Sequence, residues 1–195
     1  MTKSITFVPE FYIDNDKILA GFVALVAWVP LYEDYSAKYT RSMYGDKLFP
    51  VVLLMNRWDG MIGFPGGKAE GDETAKLAAR RELLEETEYY VTIDKLIHCH
   101  GYTTDKVVGH LYIHNLGIVT KQFLCDVIVT ATQAQGFISE GSPFWAHLMD
   151  YGKENGWTKL RNSSGLATSV PEELDVVRKY LLSNPPDNIW NPEQS

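Results

Sequence analysis

The residues best placed to do chemistry lie between Gly63 and Tyr89, in GFPGGKAEGDETAKLAARRELLEETEY. On a helix, positions three and four apart share a face. With Glu82 as origin, Glu85 falls at roughly −60° and Glu86 at roughly +40° around the axis. Three carboxylates then crowd an arc of about 100°, which is repulsive unless a cation sits among them. Hard oxygen ligands in that number suit Mg2+ or Mn2+, which keep several waters and share their remaining positions with substrate phosphates. Arg81 adjoins the cluster and can pair with Glu73, holding the helix against its loop. Upstream, Gly63, Gly66 and Gly67 let the backbone pass close to a metal and to a phosphate near a helix N-terminus. The chemistry implied is attack on a diphosphate by water activated by divalent cations.

Other side chains offer less. His98 and His100 share one side if their segment is a regular strand, with Cys99 between them and His110 and His114 following. No CxxC or HExxH spacing accompanies them, so satisfied core or pocket-lining histidines are favoured over a zinc site. His100 or His110 is a candidate contact to a substrate base or phosphate. Tyr32, Tyr35, Tyr39 and Tyr44 could stack on a base, although ordinary packing of an amphipathic loop explains them better.

These groups need a scaffold. LAGFVALVAWVP (19–30) and LFPVVLLMNR (48–57) are continuous apolar runs and read as buried strands. Between them, 31–47 is polar and tyrosine-rich, a loop or insertion. WDGMIGFPGG (58–67) must turn repeatedly. From Asp72 the period becomes helical, with Asp72 as N-cap and acidic residues in the first turn. VTIDKLIHCH and VGHLYIHNLGIV alternate as strands do. KQFLCDVIVTATQAQ (121–135) reads as helix, and Ser169–Asn184 as a helix with Pro171 in its first turn and a Ser169…Glu172 capping box. The tail, 185–195, is rich in proline and asparagine and is expected to be disordered. Residues 1–184 therefore form one domain of the α+β class, an α/β/α sandwich on a mixed sheet.

Composition narrows the partners. The 195 residues carry 18 basic and 25 acidic side chains, a net charge of −7. That balance argues against non-specific duplex binding, while a small phosphorylated ligand remains compatible. Long RNA would need a local basic patch, such as Lys38/Arg41/Lys47 or Lys153/Lys159/Arg161. Two cysteines, Cys99 and Cys125, are too few for a disulfide framework and suit a reducing compartment, the cytoplasm or, in a eukaryote, the nucleus. The N-terminus lacks the apolar core of a signal peptide. The run Ile18–Pro30 is too short and alanine-rich to span a bilayer.

The charged stretch resembles the signature of the Nudix hydrolases: a glycine, five residues, glutamate, seven residues, then Arg-Glu-aliphatic-any-Glu-Glu-any-Gly-aliphatic. Gly67, Glu73, Arg81, Glu82, Leu83, Glu85 and Glu86 are in register. Chance agreement of its six charged or glycine positions is on the order of 1 in 10⁵. Glu88 stands where glycine is usual and Tyr89 where an aliphatic residue is usual. At the left-handed end of a helix, Glu88 would cost on the order of 1 kcal/mol or force a different exit.

The flanking LLMNRWDGMIGFPGG and HCHGYTTDKVVGHLYIHNLG look like the branch that includes the snoRNA-decapping and inosine-diphosphate hydrolases. That resemblance implies a phosphoanhydride hydrolase acting on a nucleoside diphosphate linked to X, with nucleoside di- or triphosphates or an RNA 5′ cap favoured. ADP-ribose, NADH and dinucleoside polyphosphates are the alternative substrates, and a Nudix-fold regulator without turnover is the alternative class. It also implies Mg2+ or Mn2+ on Glu82, Glu85, Glu86 and the Gly67 carbonyl, and a nucleobase near Arg57 and Phe64. The general base would be Glu82 or a downstream acid, for which Glu140 in FISEGSP is the candidate. A first-strand histidine of that branch has no counterpart in AGFVALV. Homodimers are common among relatives.

Overall fold

The computed structural model describes residues 5–30, 47–134, 141–150, 156–187 and 189. The strands are β1 (Thr6–Phe7), β2 (Ile18–Pro30), β3 (Leu48–Arg57), β4 (Ile62–Gly63), β5 (Gly66–Lys68), β6 (Ile97–Thr103), β7 (Val107–Ile118) and β8 (Gly141–His147). The helices are α1 (Ala75–Thr87), α2 (Lys121–Ala131), α3 (Gly156–Arg161) and α4 (Val170–Ser183). The described strands form one mixed sheet in the order β1-β6-β7-β2-β3-β4, with β5 beside β2 and β8 beside β3. The pairing of β2 with β7 is parallel, and the other pairings are antiparallel.

Strand β2 is apolar throughout because both its faces are covered. Ala24, Val26 and Trp28 face the core that contains Val170, Leu174, Val177 and Leu181 of α4. The alternate residues turn to the other side. Val23 packs with Ala75, Ala79 and Leu83 of α1, while Leu25 and Ala27 join Val127 and Leu124 of α2. Helices thus cover both faces, giving the expected sandwich of the α+β class. Helix α1 comes so close to the sheet that a Cβ on Gly21 would lie 1.8 Å from the Ala75 carbonyl oxygen.

Strand β2 is also forked. Its residues Ala20–Phe22 pair with Gly66–Lys68, whereas Val26–Pro30 pair with Leu48–Val52. The fork parts β5 from β3 and opens a cleft at the place where the glycine-rich turns meet α1.

Several sequence expectations need correction. Thr74, not Asp72, caps α1, its Oγ1 accepting from Leu77 N at 3.3 Å, and the first turn holds no acidic residue. Asp72 and Glu73 precede the helix because the preceding turn is closed by Glu73 N donating to the Glu70 carbonyl. The segment 91–100 is strand only from Ile97, after a short 3-10 turn at Ile93–Lys95. A bulge at Cys99 pairs His98 with Tyr112 but His100 with Leu111. The extra residue sends the two histidines to opposite faces, since successive positions of β7 alternate. No capping box forms at α4: Ser169 is itself in the right-handed helical region and its hydroxyl donates to Glu173 rather than capping the backbone. Ile189, in the tail expected to be disordered, bridges Leu48 in parallel. The two long strands and the helix Lys121–Ala131 lie where the sequence placed them. Residues 31–46 lie outside the described residues.

Candidate active site

Helix α1 carries Arg81, Glu82, Glu85 and Glu86, and the structure brings all four beside β5. Arg81 is the hub. Its Nε donates to Glu73 Oε1 at 3.1 Å, and its Nη2 to Glu73 Oε2 at 3.1 Å and to the Lys68 carbonyl at 2.9 Å. Its Nη1 lies 3.0 Å from both Glu82 Oε1 and Glu85 Oε2. One guanidinium therefore ties the loop, the β5 backbone and two carboxylates of the helix together, using the planar fork that lysine lacks. The Arg81 guanidinium holds the Glu73 carboxyl below the usual range, helped by the Glu70 amide donating to the same group. Glu86 is buried and accepts a 2.9 Å hydrogen bond from Gly66 N.

Backbone proximity requires the glycines here. A Cβ on Gly66 would lie 2.4 Å from the Gly21 carbonyl oxygen, and its φ of 149° disfavours other residues. A Cβ on Gly67 would lie 2.3 Å from Glu82 Oε1. The chain following the turn is pressed directly onto the carboxylates.

The donor set fits a hard divalent cation. Three carboxylates and the Gly67 backbone supply oxygen only, and Glu82 and Glu85 already share one positive partner, the Arg81 Nη1. No three His, Cys, Asp or Glu side chains converge into a closed ligand set among the described residues.

The cleft in the fork has a volume of about 710 Å³, and Glu82, Glu86, Gly66, Gly67, Arg57 and Phe64 line it. Arg57 and Phe64 thus share one cavity with Glu82 and Glu86, while Glu85 is not among its lining residues. Arg57 is steadied by Asp59 at 3.0 Å, and Phe64 is almost fully buried. Glu88 ends α1 in the left-handed conformation with φ 55° and ψ 12°, its N–H donating to the Leu84 carbonyl. The helix therefore keeps the usual exit and tolerates the strained residue.

Other candidates lie elsewhere. His98 Nε2 and His110 Nδ1 are 3.2 Å apart, and His110 Nε2 is 3.2 Å from the Tyr12 carbonyl oxygen. Neither His100 nor His110 lines the cleft; burial keeps both below the ordinary histidine range. The Cys99 thiol donates to the Leu111 carbonyl, and burial pushes its ionisation up. Glu140, Tyr32, Tyr35, Tyr39, Tyr44, Lys38, Arg41 and Lys153 lie outside the described residues. The sequence reading missed Ser169, Glu173 and Tyr102, which line the cleft from α4 and β6. A signal for Glu173 existed: it shares an apolar stripe with Val170, Leu174, Val177 and Leu181, where an acid is out of place.

The Nudix domain model matches residues 43–144, more than half of the chain. The chain belongs to the Nudix family. Nudix hydrolases act on phosphoanhydrides and generally use divalent metals, and this Nudix chain keeps every charged residue of the box. A U8 snoRNA-decapping enzyme from Homalodisca vitripennis is 29% identical over 109 residues, 48% of this chain. That match spans 57% of the curated relative's length. The fold is shared with a mutT/nudix family protein from Listeria innocua, at a TM-score of 0.56 and 13% identity, over 87% of this chain and 97% of that one. A Bacillus subtilis pyrophosphohydrolase matches at a TM-score of 0.50 and 19% identity, over 92% and 89%. No described helix of this Nudix protein is long and apolar enough to cross a membrane.

Proposed function

We propose that this protein hydrolyses a phosphoanhydride in a nucleoside diphosphate linked to a second group, with nucleoside di- or triphosphates and the 5′ cap of RNA as preferred substrates. The observation that carries this is the cleft itself: Glu82 and Glu86 line it together with Arg57 and Phe64, so carboxylates suited to a metal-bound diphosphate and side chains suited to a nucleoside share one cavity. The likeness to a snoRNA-decapping enzyme supports the cap as one such substrate.

Glu82, Glu85, Glu86 and the Gly67 carbonyl would hold Mg2+ or Mn2+. Bound there, the ions would neutralise the diphosphate, activate water and stabilise the leaving phosphate. The protein's own groups position and move protons. Glu82 is the general base, taking a proton from the attacking water on the carboxylate oxygens that Arg81 orients. Glu140 is the alternative base. Arg81 and Glu73 hold β5 and its loop against α1, fixing the distance between the carboxylates and the phosphates. Gly66 and Gly67 present backbone to the diphosphate without a side chain in the way, and Arg57 and Phe64 receive the nucleoside.

The proposal extends to residues 1–184 acting as one domain in the cytoplasm, in keeping with two free cysteines, and to a homodimer by analogy with relatives. The test is a panel of capped RNA, nucleoside di- and triphosphates, ADP-ribose, NADH and dinucleoside polyphosphates, with Mg2+ or Mn2+ and product analysis. Metal-dependent release of a mononucleotide is expected, with a loss of more than about 10²-fold in Glu85→Gln/Glu86→Gln. Full activity of that variant would overturn the site, and inertness of the native protein on every member would favour the regulator reading.

A further inference from the structure

Among the described residues that line the cleft, the cations are Arg57 and Lys68, and the chain treats them differently. Lys68 follows Gly67 in β5, at the box end, and forms no ion pair among the described residues. Arg57, the last residue of β3, is paired with Asp59 in the turn that joins β3 to β4. Its Nη2 donates to Asp59 Oδ2 at 3.0 Å. The other carboxylate oxygen, Oδ1, accepts from Met61 N at 3.0 Å, so the turn backbone fixes the carboxylate.

The turn is closed by Arg57 N donating to the Met61 carbonyl at 2.9 Å and Gly60 N to the Arg57 carbonyl at 3.0 Å. Gly60 supplies the left-handed residue of this closure, with φ 77°. The arginine stem crosses β4 over Gly63, where an added Cβ would lie 3.4 Å from Arg57 Cδ. Arg57 lines the cleft and Asp59 does not, so the carboxylate acts on the guanidinium from outside the cavity. An arginine that grips phosphate uses its full charge, and a carboxylate in direct contact offsets that charge. Arg57 keeps its planar face and the donors that Asp59 leaves open, which suit an uncharged ribose or base.

Resting on the reading that the cleft binds a nucleotide, we propose that Asp59 is a positioning residue that masks the charge of Arg57, denies that end of the cleft to phosphates and so sets the orientation of the substrate. A nucleotide carries its charge at one end and an uncharged ring system at the other. With Arg57 unmasked, the nucleoside end would attract phosphates in competition with the box. A substrate could then lie reversed, its phosphates on Arg57, bound but away from Glu82 and Glu86. With Arg57 masked, only the orientation that sends phosphates to the box gains from electrostatic attraction.

The experiment titrates inorganic pyrophosphate into the intact chain by calorimetry, in EDTA, at low salt and again in about 0.5 M salt. Asp59→Asn removes the charge while its amide oxygen still accepts from Met61 N, so the turn is kept. This variant is expected to bind pyrophosphate at least about threefold more tightly than the native chain at low salt, with a smaller gain in about 0.5 M salt, where screening is strong. Asp59→Ser, whose hydroxyl can also accept from Met61 N, should show the same gain, and Asp59→Glu should return affinity toward native. In Asp59→Asn/Arg57→Gln the gain should vanish, because it runs through Arg57. On a nucleoside diphosphate that the native protein hydrolyses with divalent cation, Asp59→Asn should lower KM and kcat together, since reversed binding is tight and unreactive; a merely loosened turn would raise KM instead. A smaller gain in a variant that melts as a folded protein overturns the proposal, as does a raised KM or a gain that survives removal of Arg57. Should the gain appear in a protein that hydrolyses no member of the substrate panel, charge masking stands and the proposed enzymatic function falls. Hydrolysis by the native chain without the gain overturns the masking alone.

Discussion

Replacing Gly67 by alanine should move the Glu82 carboxylate, the proposed general base, while leaving the fold in place. The added Cβ would lie 2.3 Å from Glu82 Oε1 and 2.5 Å from its Cδ. An ordinary contact is about 3.4 Å or more, so the carboxylate must retreat by about 1 Å. Glu82 can do so, because the clash meets the end of a flexible side chain and not the backbone. Arg81 would lose or lengthen its 3.0 Å contact to Glu82 but keep Glu73, Glu85 and the Lys68 carbonyl. A displacement of about 1 Å at a catalytic group costs on the order of 10²-fold in rate, about 2.7 kcal/mol in the barrier. Stability should change by less than about 1 kcal/mol, a Tm shift within about 4 °C for a chain of this size. The assay is steady-state kcat/KM on the best substrate of the panel, with a thermal melt of the same preparation. Native kcat/KM in the alanine variant would refute the claim that Gly67 is kept for the position of Glu82. A collapse of Tm would refute the claim that only a side chain must yield.

Three further outcomes follow from the same geometry. Arg81→Lys should lower kcat/KM by more than about tenfold, since one ammonium cannot reach Glu73, Glu82, Glu85 and the Lys68 carbonyl together; near-native kinetics would count against the hub. Glu88→Gly should raise Tm by about 2–4 °C, because relief of a left-handed non-glycine residue is worth about 1 kcal/mol, and a lower Tm would show that Glu88 is not strained. The third concerns Glu173, whose folded-state ionisation is raised from 4.5 to about 8. The folded protein then binds the proton more tightly than the unfolded chain, so this stabilisation is complete below 4.5 and is lost as pH rises toward 8. Denaturant titrations should show this as a contribution that falls with pH in that window, opposed in sign by the buried histidines, whose lowered ionisation favours the fold as pH rises. Glu173→Gln should flatten it; the same slope in both proteins would refute the assignment.

What could be read from the chain alone was whatever depends on spacing along one element. The carboxylate arc of Glu82, Glu85 and Glu86 follows from helical geometry, and the Arg81–Glu73 pair from the loop being too short to carry them apart. Strands β2 and β3 were legible because burial on both faces demands an unbroken apolar run. Single-residue irregularities were not legible. The bulge at Cys99 reverses the facing of His98 relative to His100, and a bulge is chosen by the partner strand as much as by its own residues. Likewise Ser169 reads as a cap in sequence, but the cleft places a better acceptor, Glu173, within its reach.

Sequence by itself therefore determined the family, the α+β class and the charged cluster that defines the chemistry, since these are set by local periodicity and by residue types at fixed separations. Only the tertiary structure decided which residues line the cleft from outside the box. Glu173 and Ser169 are about a hundred positions from Gly66 and Gly67, yet the fork in β2 and the docking of α4 set them on one cleft. No pattern along the chain encodes that meeting. It arises because α1 and α4 cover opposite faces of one sheet, and the cleft opens where that sheet divides.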